Sequence, residues 1–188
     1  MEEIQRCPWL PAHLDLYRDY HDQEWGVASR DPGYLFEMIC LEGAQAGLSW
    51  WTVLQKREHY RKVFHHFDPR KVARMSDAAL DKLVLDPGII RHRGKIQSVR
   101  QNARAWLDLE EREGDVVSWL WDFVGGSPRK NHFKSLADFP SKTAESDALS
   151  KALRKAGFNF VGSTTMYAFM QAVGMTDDHT ADCFRYRR

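Results

Sequence analysis

Cysteine is scarce. The three present, Cys7, Cys40 and Cys183, are an odd number spread across 188 residues, which suits a reducing compartment better than a disulfide framework. Long apolar runs are missing too. Nothing approaches the roughly 18–20 consecutive apolar residues that cross a bilayer, so no membrane partner is expected. The opening residues, Met1-Glu2-Glu3-Ile4-Gln5-Arg6-Cys7, carry two acids and lack the apolar core of a secretory signal, so a cytoplasmic setting is expected. Neither sign of charge dominates, and a net charge of +1 neither demands nor excludes a nucleic-acid partner, because local patches matter more than totals. Alternating β-branched stretches, internal repeats and low-complexity segments are also absent, which argues against a sheet and against a repeat architecture.

What is present is an ordinary globular balance, 43% hydrophobic and 28% charged, of a size for one domain. Seven tryptophans are more than core packing asks for, and indole faces suit stacking on bases. Helical periodicity runs through the chain. Tyr34 to Gly43 reads as one helix started by Asp31-Pro32, with Leu35, Met38 and Ile39 on one face. Ser49 can cap a second helix carrying Val53, Leu54, Tyr60, Val63, Phe64 and Phe67, stopped by Asp68-Pro69. Ser76 and Ser146 each precede a helical run as N-cap candidates. Gly157 and Gly174 suit C-terminal caps. The stretch from Gly125-Gly126-Ser127-Pro128 to Ser146 is the least regular. The expected class is all-α, without a sheet.

Between Leu83 and Ile96 two amphipathic helices meet at a short turn, Asp86-Pro87-Gly88-Ile89-Ile90-Arg91-His92-Arg93-Gly94-Lys95. Such a turn can offer backbone N–H groups and a helix N-terminus to a phosphate, and its glycines permit close backbone approach. From Ile89 to Arg104 the charges are Arg91, Arg93, Lys95, Arg100 and Arg104, with no acid. Two readings stand: a phosphate-holding face that ignores base sequence, or a solvated basic helix pair.

Cys7 and His21 near one end, and His179 and Cys183 near the other, form a set suited to tetrahedral Zn²⁺. His179 and Cys183 are spaced i, i+4, one turn apart on a helix. Four protein ligands leave no open position, so the metal would be structural, clipping two ends to the domain. The alternative is unrelated cysteines and histidines. Cys40, amid Met38, Ile39 and Leu41, reads as a small core residue.

Glu42 ends an otherwise apolar helix, directly before Gly43. With Tyr20 and Trp50 as walls it would suit a flat, positively charged heterocycle, the rings stacking and the carboxylate accepting from an exocyclic amine. It could instead pair with an arginine or cap a backbone. Asp22 and Glu24 read as solvated acids.

These segments together resemble the 3-methyladenine DNA glycosylase I family, a constitutive bacterial branch of the helix-hairpin-helix glycosylases. The resemblance lies in Arg6-Cys7-x-Trp9, Tyr20-His21-Asp22-x-Glu24-Trp25-Gly26, Leu35 to Gly43, Gln45-Ala46-Gly47-Leu48-Ser49-Trp50, Gly88 to Ile96, Ser146 to Leu153, Phe158-x-Phe160-Val161-Gly162 and Asp178-His179. It spans essentially the whole chain. It implies a single unit over residues 1–188 made of two helical lobes, with a helix-hairpin-helix at about 76–108. Zinc would link the ends, about 1–30 and 175–188. It implies Cys7, His21, His179 and Cys183 as metal ligands, and Glu42 as the catalytic and base-recognising carboxylate. Tyr20, Trp50, Trp9 and Trp25 would form the rest of the base site, and Gly47-Leu48 would lie at the gap left by a flipped nucleotide. Gly88, Ile89, Ile90, Arg91, Arg93, Gly94 and Lys95 would hold the DNA. The segment Leu10 to Asp19 is slightly longer than the family pattern, and Phe184 to Arg188 is distinctive. The implied activity is hydrolytic release of 3-methyladenine from alkylated double-stranded DNA by a monomer, leaving an abasic site.

The related glycosylases commonly carry an aspartate after the hairpin, whereas Lys95 to Leu107 holds no carboxylate and Asp108 is the first. A monofunctional enzyme without a lysine Schiff base follows. The competing expectations are a non-catalytic DNA-binding module and a broader alkylpurine glycosylase that also takes 7-methylguanine.

Overall fold

The computed structural model describes residues 4–11 and 13–186; the outermost residues of both expected zinc-linked ends lie outside the described residues. The chain is mostly helical. Its centre is α2 (Pro32–Gln45), in which every residue from Leu35 to Ala44 is buried. A helix apolar all round needs cover on all sides, and α3 (Trp50–Leu54), α7 (Arg93–Glu113), α8 (Val116–Asp122) and α10 (Ser163–Ala172) supply it. Asp31 starts α2 by accepting from Tyr34 N–H at 2.6 Å, with Pro32 at the first position, the expected start at the expected place.

The helix expected from Ser49 to Phe67 is in fact broken. Ser49 does cap α3, accepting from Thr52 N–H, but the chain turns after Leu54 and resumes as α4 (Arg57–Val63). His65, His66 and Phe67 then run left-handed, at φ 52°, 55° and 54°. Such backbone is unfavourable for bulky residues, and here it delivers Phe67 fully buried, stacked on Phe64 at 6.0 Å. Asp68-Pro69 is a beginning rather than an end. The Asp68 side chain accepts from Arg70 and Lys71 N–H and starts α5 (Pro69–Val72).

Ser76 caps α6 (Asp77–Leu83) as expected, through Ala79 N–H. Ser146 does not cap. Thr143 opens α9 (Ala144–Lys155), and Ser146 is its reciprocal partner three residues in, fully buried. Gly157 at φ +96° and Gly174 at φ +72° follow α9 and α10. One small sheet exists: β1 (Arg129–Lys130) pairs in parallel with β2 (Thr176–Asp177). Two residues per strand are too short to leave a sequence pattern.

Segments near the two ends meet. Phe184 N–H donates to Gln5 O at 2.9 Å, Gly26 N–H to Gln171 O and Ser29 N–H to Val173 O, each at 3.0 Å. Residues 5–29, including α1 (Asp15–Gln23), thereby lie against α10 and the segment after it.

Candidate active site

Two carboxylates sit five residues apart on α2 with opposite surroundings. Glu37 is held by two guanidinium groups, with Arg57 Nε donating at 2.6 Å and Arg61 donating to both its oxygens. Glu42, 4% exposed, has no cation in hydrogen-bond reach among the described residues, and its Oε2 has no partner among them. The arginine pairing left open by the sequence goes to Glu37 and to Glu24, which accepts from Arg57 at 2.7 Å. Glu24 is therefore paired, with its side chain still 38% exposed. Asp22 is paired too, accepting from Arg6 at 2.8 Å, and is half-buried. Burial pushes the Glu42 carboxyl up to about 8, with Arg57 pulling weakly the other way.

An unsatisfied buried carboxyl is costly, and the space beside it explains why it is tolerated. Glu42 lines a cavity of about 290 Å³, with walls from Trp9, Tyr17, Tyr20, Trp25 and Trp50. Tyr20 and Trp50 lie 5.3 Å apart between ring centres, and Trp9 and Trp25 meet edge-on at 4.9 Å. Trp9 and Trp50 also leave their indole N–H groups unpartnered. All five residues expected in a base site from the motifs fall here. Sequence reasoning missed Tyr17, Gln45, Leu136, Phe139, Ala168 and Gln171. Tyr17 lies one turn before Tyr20 and Gln45 one turn after Glu42, so helical spacing could have found both. Leu136 and Phe139 arrive from the irregular stretch, where no periodicity points.

Behind Trp9 and Trp25 lies a second cluster. Cys7, His21, His179 and Cys183 are buried, with ligand atoms within 4.8 Å of one another. His21 Nδ1–H donates to Asp22 at 2.8 Å, and His179 Nε2–H donates to Trp25 O at 3.1 Å. Since both partners only accept, each ring turns its other nitrogen, lone pair outward, to the cluster. Cys183 Sγ lies 3.5 Å from His21 Nε2 and 3.6 Å from His179 Nδ1, and Cys7 Sγ lies 3.5 Å from His179 Nδ1. The two thiols share the cluster's protons unequally. Cys183 is drawn far down by the hydrogen bond from Cys7 and by both histidines, while Cys7 is driven up. This is a donor set able to hold a soft divalent cation.

The turn between α6 and α7 is gripped from α4. Lys56 Nζ donates to Pro87 O at 2.6 Å, His59 Nε2 lies 2.8 Å from Asp86 Oδ2, and Tyr60 OH accepts from Ile90 N–H at 3.0 Å. These contacts explain the break after Leu54, because α4 faces the turn on one side and sends Arg57 and Arg61 to Glu37 on the other. A Cβ on Gly88 would come within 2.3 Å of the His59 ring. Arg91 is exposed, and Arg93 is exposed and paired with Asp81. Gly94 sits half-buried in the first turn of α7, where Arg93 and Gly94 N–H have no helical acceptor.

Two expected DNA contacts need correction. The Ile89 side chain is 2% exposed and belongs to the core. Lys95 is 8% exposed, and its ammonium is occupied by the carbonyls of Ala44 and Ala46, because the end of α2 brings no donor of its own. The basic run thins further: Arg100 pairs with Asp77, and Arg104 donates to Ala73 O. Gly47, at φ +77°, precedes Leu48, an apolar side chain 43% exposed at the tip of the loop after α2.

The sequence profile of the methyladenine glycosylase family matches residues 9–186. The chain belongs to the methyladenine glycosylase family. This methyladenine glycosylase is 53% identical over 183 residues to DNA-3-methyladenine glycosylase 1 of Escherichia coli (strain K12), the match covering 97% of either chain. A crystal structure of a 3-methyladenine DNA glycosylase I superposes with a TM-score of 0.95 at 52% identity, covering 97% of this chain and 100% of the other. A variant of a 3-methyladenine DNA glycosylase I, solved in complex with 3-methyladenine, matches with a TM-score of 0.91 at 34% identity. That match covers 94% of this chain and 95% of its own. Among the described residues, no helix is long and apolar enough to cross a membrane.

Proposed function

We propose that this methyladenine glycosylase flips N3-methyladenine out of duplex DNA and hydrolyses its N-glycosidic bond, releasing the base and leaving an abasic site. The observation that carries the reading is the unpartnered carboxyl of Glu42 in an aromatic cavity. At about 290 Å³ the space is near the lower end for small-molecule sites, suited to one base. Methylation at N3 makes the base cationic and weakens its bond to C1′. A cation in the cavity, against the walls that Tyr20 and Trp50 form, gains stacking and cation–π attraction, and its charge favours ionisation of Glu42, which can then accept from the exocyclic amine. Departure of the base breaks the N9–C1′ bond and takes the electron pair with it, giving a neutral leaving group that needs little protonation. Water adds its oxygen to C1′ and gives up a proton to the solvent. Glu42 favours the extruded lesion over the stacked one, so binding energy is spent on the step itself.

No lysine lines the cavity, and Lys95 is committed to α2, which supports a monofunctional hydrolase with no Schiff base. The hairpin around Gly88, Ile90, Arg91, Arg93 and Gly94 is the proposed helix-hairpin-helix grip on the phosphate backbone, through α7's first N–H groups and the exposed arginines. Leu48 fills the gap left by the flipped nucleotide. The enzyme acts as a monomer, in the cytoplasm.

The buried cluster takes structural Zn²⁺. Tetrahedral zinc with ordinary Zn–S and Zn–N bonds has a sulfur-to-nitrogen edge of about 3.6 Å; three of the four such separations here are 3.5–3.6 Å, and the fourth, Cys7 to His21, is within 4.8 Å. Bound there, the metal ties Cys7 and His21 to His179 and Cys183, joining residues about 1–30 to about 175–188 in one lobe.

Titration of tryptophan fluorescence with free 3-methyladenine tests the pocket. At pH 9, where Glu42 is ionised, Glu42→Gln should weaken binding by about tenfold to a hundredfold, the value of a charge-assisted hydrogen bond. Unchanged affinity would remove Glu42 from recognition.

A further inference from the structure

α2 carries no basic residue in its last turn, yet the final carbonyls of a helix need donors and its C-terminal end attracts a cation. The donor comes from another helix. Lys95, the third residue of α7, reaches back so that its Nζ donates to Ala44 O at 2.8 Å and to Ala46 O at 2.6 Å. Burial draws its ammonium below the ordinary lysine range, so the charge is kept inside at a cost that these two bonds offset. Its backbone is fixed as well, the Lys95 N–H donating to His92 Nδ1 at 3.1 Å.

The same junction is built a second time from apolar parts. Phe160 stands between the two helices. A Cβ on Gly43 of α2 would lie 3.1 Å from Phe160 Cβ, and one on Gly94 of α7 would lie 3.7 Å from its ring. Phe160 is itself at φ +56°. The neighbouring backbone is clamped by the buried Asn102, which accepts from Asn159 N–H at 2.8 Å and donates to Asn159 O at 3.2 Å. Strained backbone persists where its surroundings over-determine it. Here that backbone holds the end of α2 against the start of α7.

The joined parts are the ones the reaction uses. Glu42 lies one turn before Ala46, Leu48 lies two residues after it, and the hairpin turn enters α7 just before Lys95. We propose that Lys95 is a positioning residue, locking the hairpin to the end of the base-pocket helix so that phosphate grip, Leu48 insertion and base capture share one register. This rests on the glycosylase reading above. Lys95 does not line the cavity and is mostly buried, so its effect runs through Ala44, Ala46 and the loop that follows.

The test is Lys95→Met, which keeps the stem and removes the donors. It is measured for melting temperature, affinity for free 3-methyladenine, and single-turnover release of base from methylated duplex at saturating enzyme. The lock predicts a folded variant with free-base affinity within about twofold of wild type and a single-turnover rate lower by about tenfold or more, since small misplacements are costly in rate. A control, Leu120→Ala, destabilises the core from α8 and should leave the single-turnover rate of folded enzyme unchanged. If Lys95→Met does not fold, Lys95→Gln, which keeps a shorter donor, is measured the same way. A wild-type rate in the variant, or a rate that falls only in proportion to free-base affinity, overturns the lock. Failure of wild-type enzyme to release any base overturns the glycosylase reading instead.

Discussion

Glu42 and Glu37 share a helix and a degree of burial, and differ only in company. That difference has a signature in stability. Unfolded, Glu42 ionises near its ordinary value of 4.5; folded, burial raises it to about 8. Between those values the native state holds a proton that the unfolded chain has released, so stability falls as pH rises across the window and levels off above it. The size is on the order of a few kcal/mol. Glu42→Gln removes this titration. Urea unfolding of both proteins at pH 5 and pH 8 should show wild type losing stability relative to the variant, whereas equal changes would mean the carboxyl is solvated. The position of Glu42, in an apolar run closed by glycine, already made it conspicuous in the sequence. Its lack of a partner could not be read there, because whether Arg57 turns to Glu37 or to Glu42 depends on how α4 packs.

At the scale of elements, two glycines that look alike in sequence do different work. Gly157 and Gly174 each follow a helix at positive φ, and each was legible as a C-terminal cap. A Cβ on Gly157 meets only ordinary contacts, 3.7 Å from Ala105 Cβ. A Cβ on Gly174 would fall 2.3 Å from Ala28 N and 2.4 Å from Val27 C, backbone atoms that cannot swing aside. Gly157→Ala should therefore cost about 1 kcal/mol for its backbone conformation, and Gly174→Ala about 3 kcal/mol or more. Chemical denaturation decides it, and equal costs would mean that residues 27–28 give way. The misreadings of Ser49–Phe67 and Ser146 have the same origin as this contrast. Apolar spacing identified the buried side chains except Val63, which is half-buried, but the turn after Leu54 serves partners on two other elements, and Thr143 competes locally with Ser146 for the cap. Lys95 looked like one more member of a basic run because its acceptors lie 49 and 51 residues away.

At the scale of the molecule, the pocket and the cluster of two cysteines and two histidines are one construction. Cys7 is two residues from Trp9, His21 follows Tyr20, and His179 bonds to the carbonyl of Trp25. The four candidate ligands were legible in the sequence, whereas their convergence depends on segments near the two ends meeting, which no local pattern records. If zinc closes this clip, the purified protein contains about one zinc per chain, and a strong chelator lowers its melting temperature by about 10 °C, given the usual 2–4 °C per kcal/mol at this size. Cys183→Ser should abolish both the metal and the chelator's effect. Metal-free protein with an unchanged melting temperature would leave the cluster without that role.

The claim on which the rest depends is that a cationic purine, once out of the helix, is held by Glu42 among aromatic rings and leaves DNA there. Incubating the protein with N3-methylated duplex and separating the products by chromatography tests it. The account predicts free 3-methyladenine as the released base with intact phosphodiester strands, little 7-methylguanine, and a large loss of release in Glu42→Gln. No released base, or release by Glu42→Gln at the wild-type rate, would contradict it.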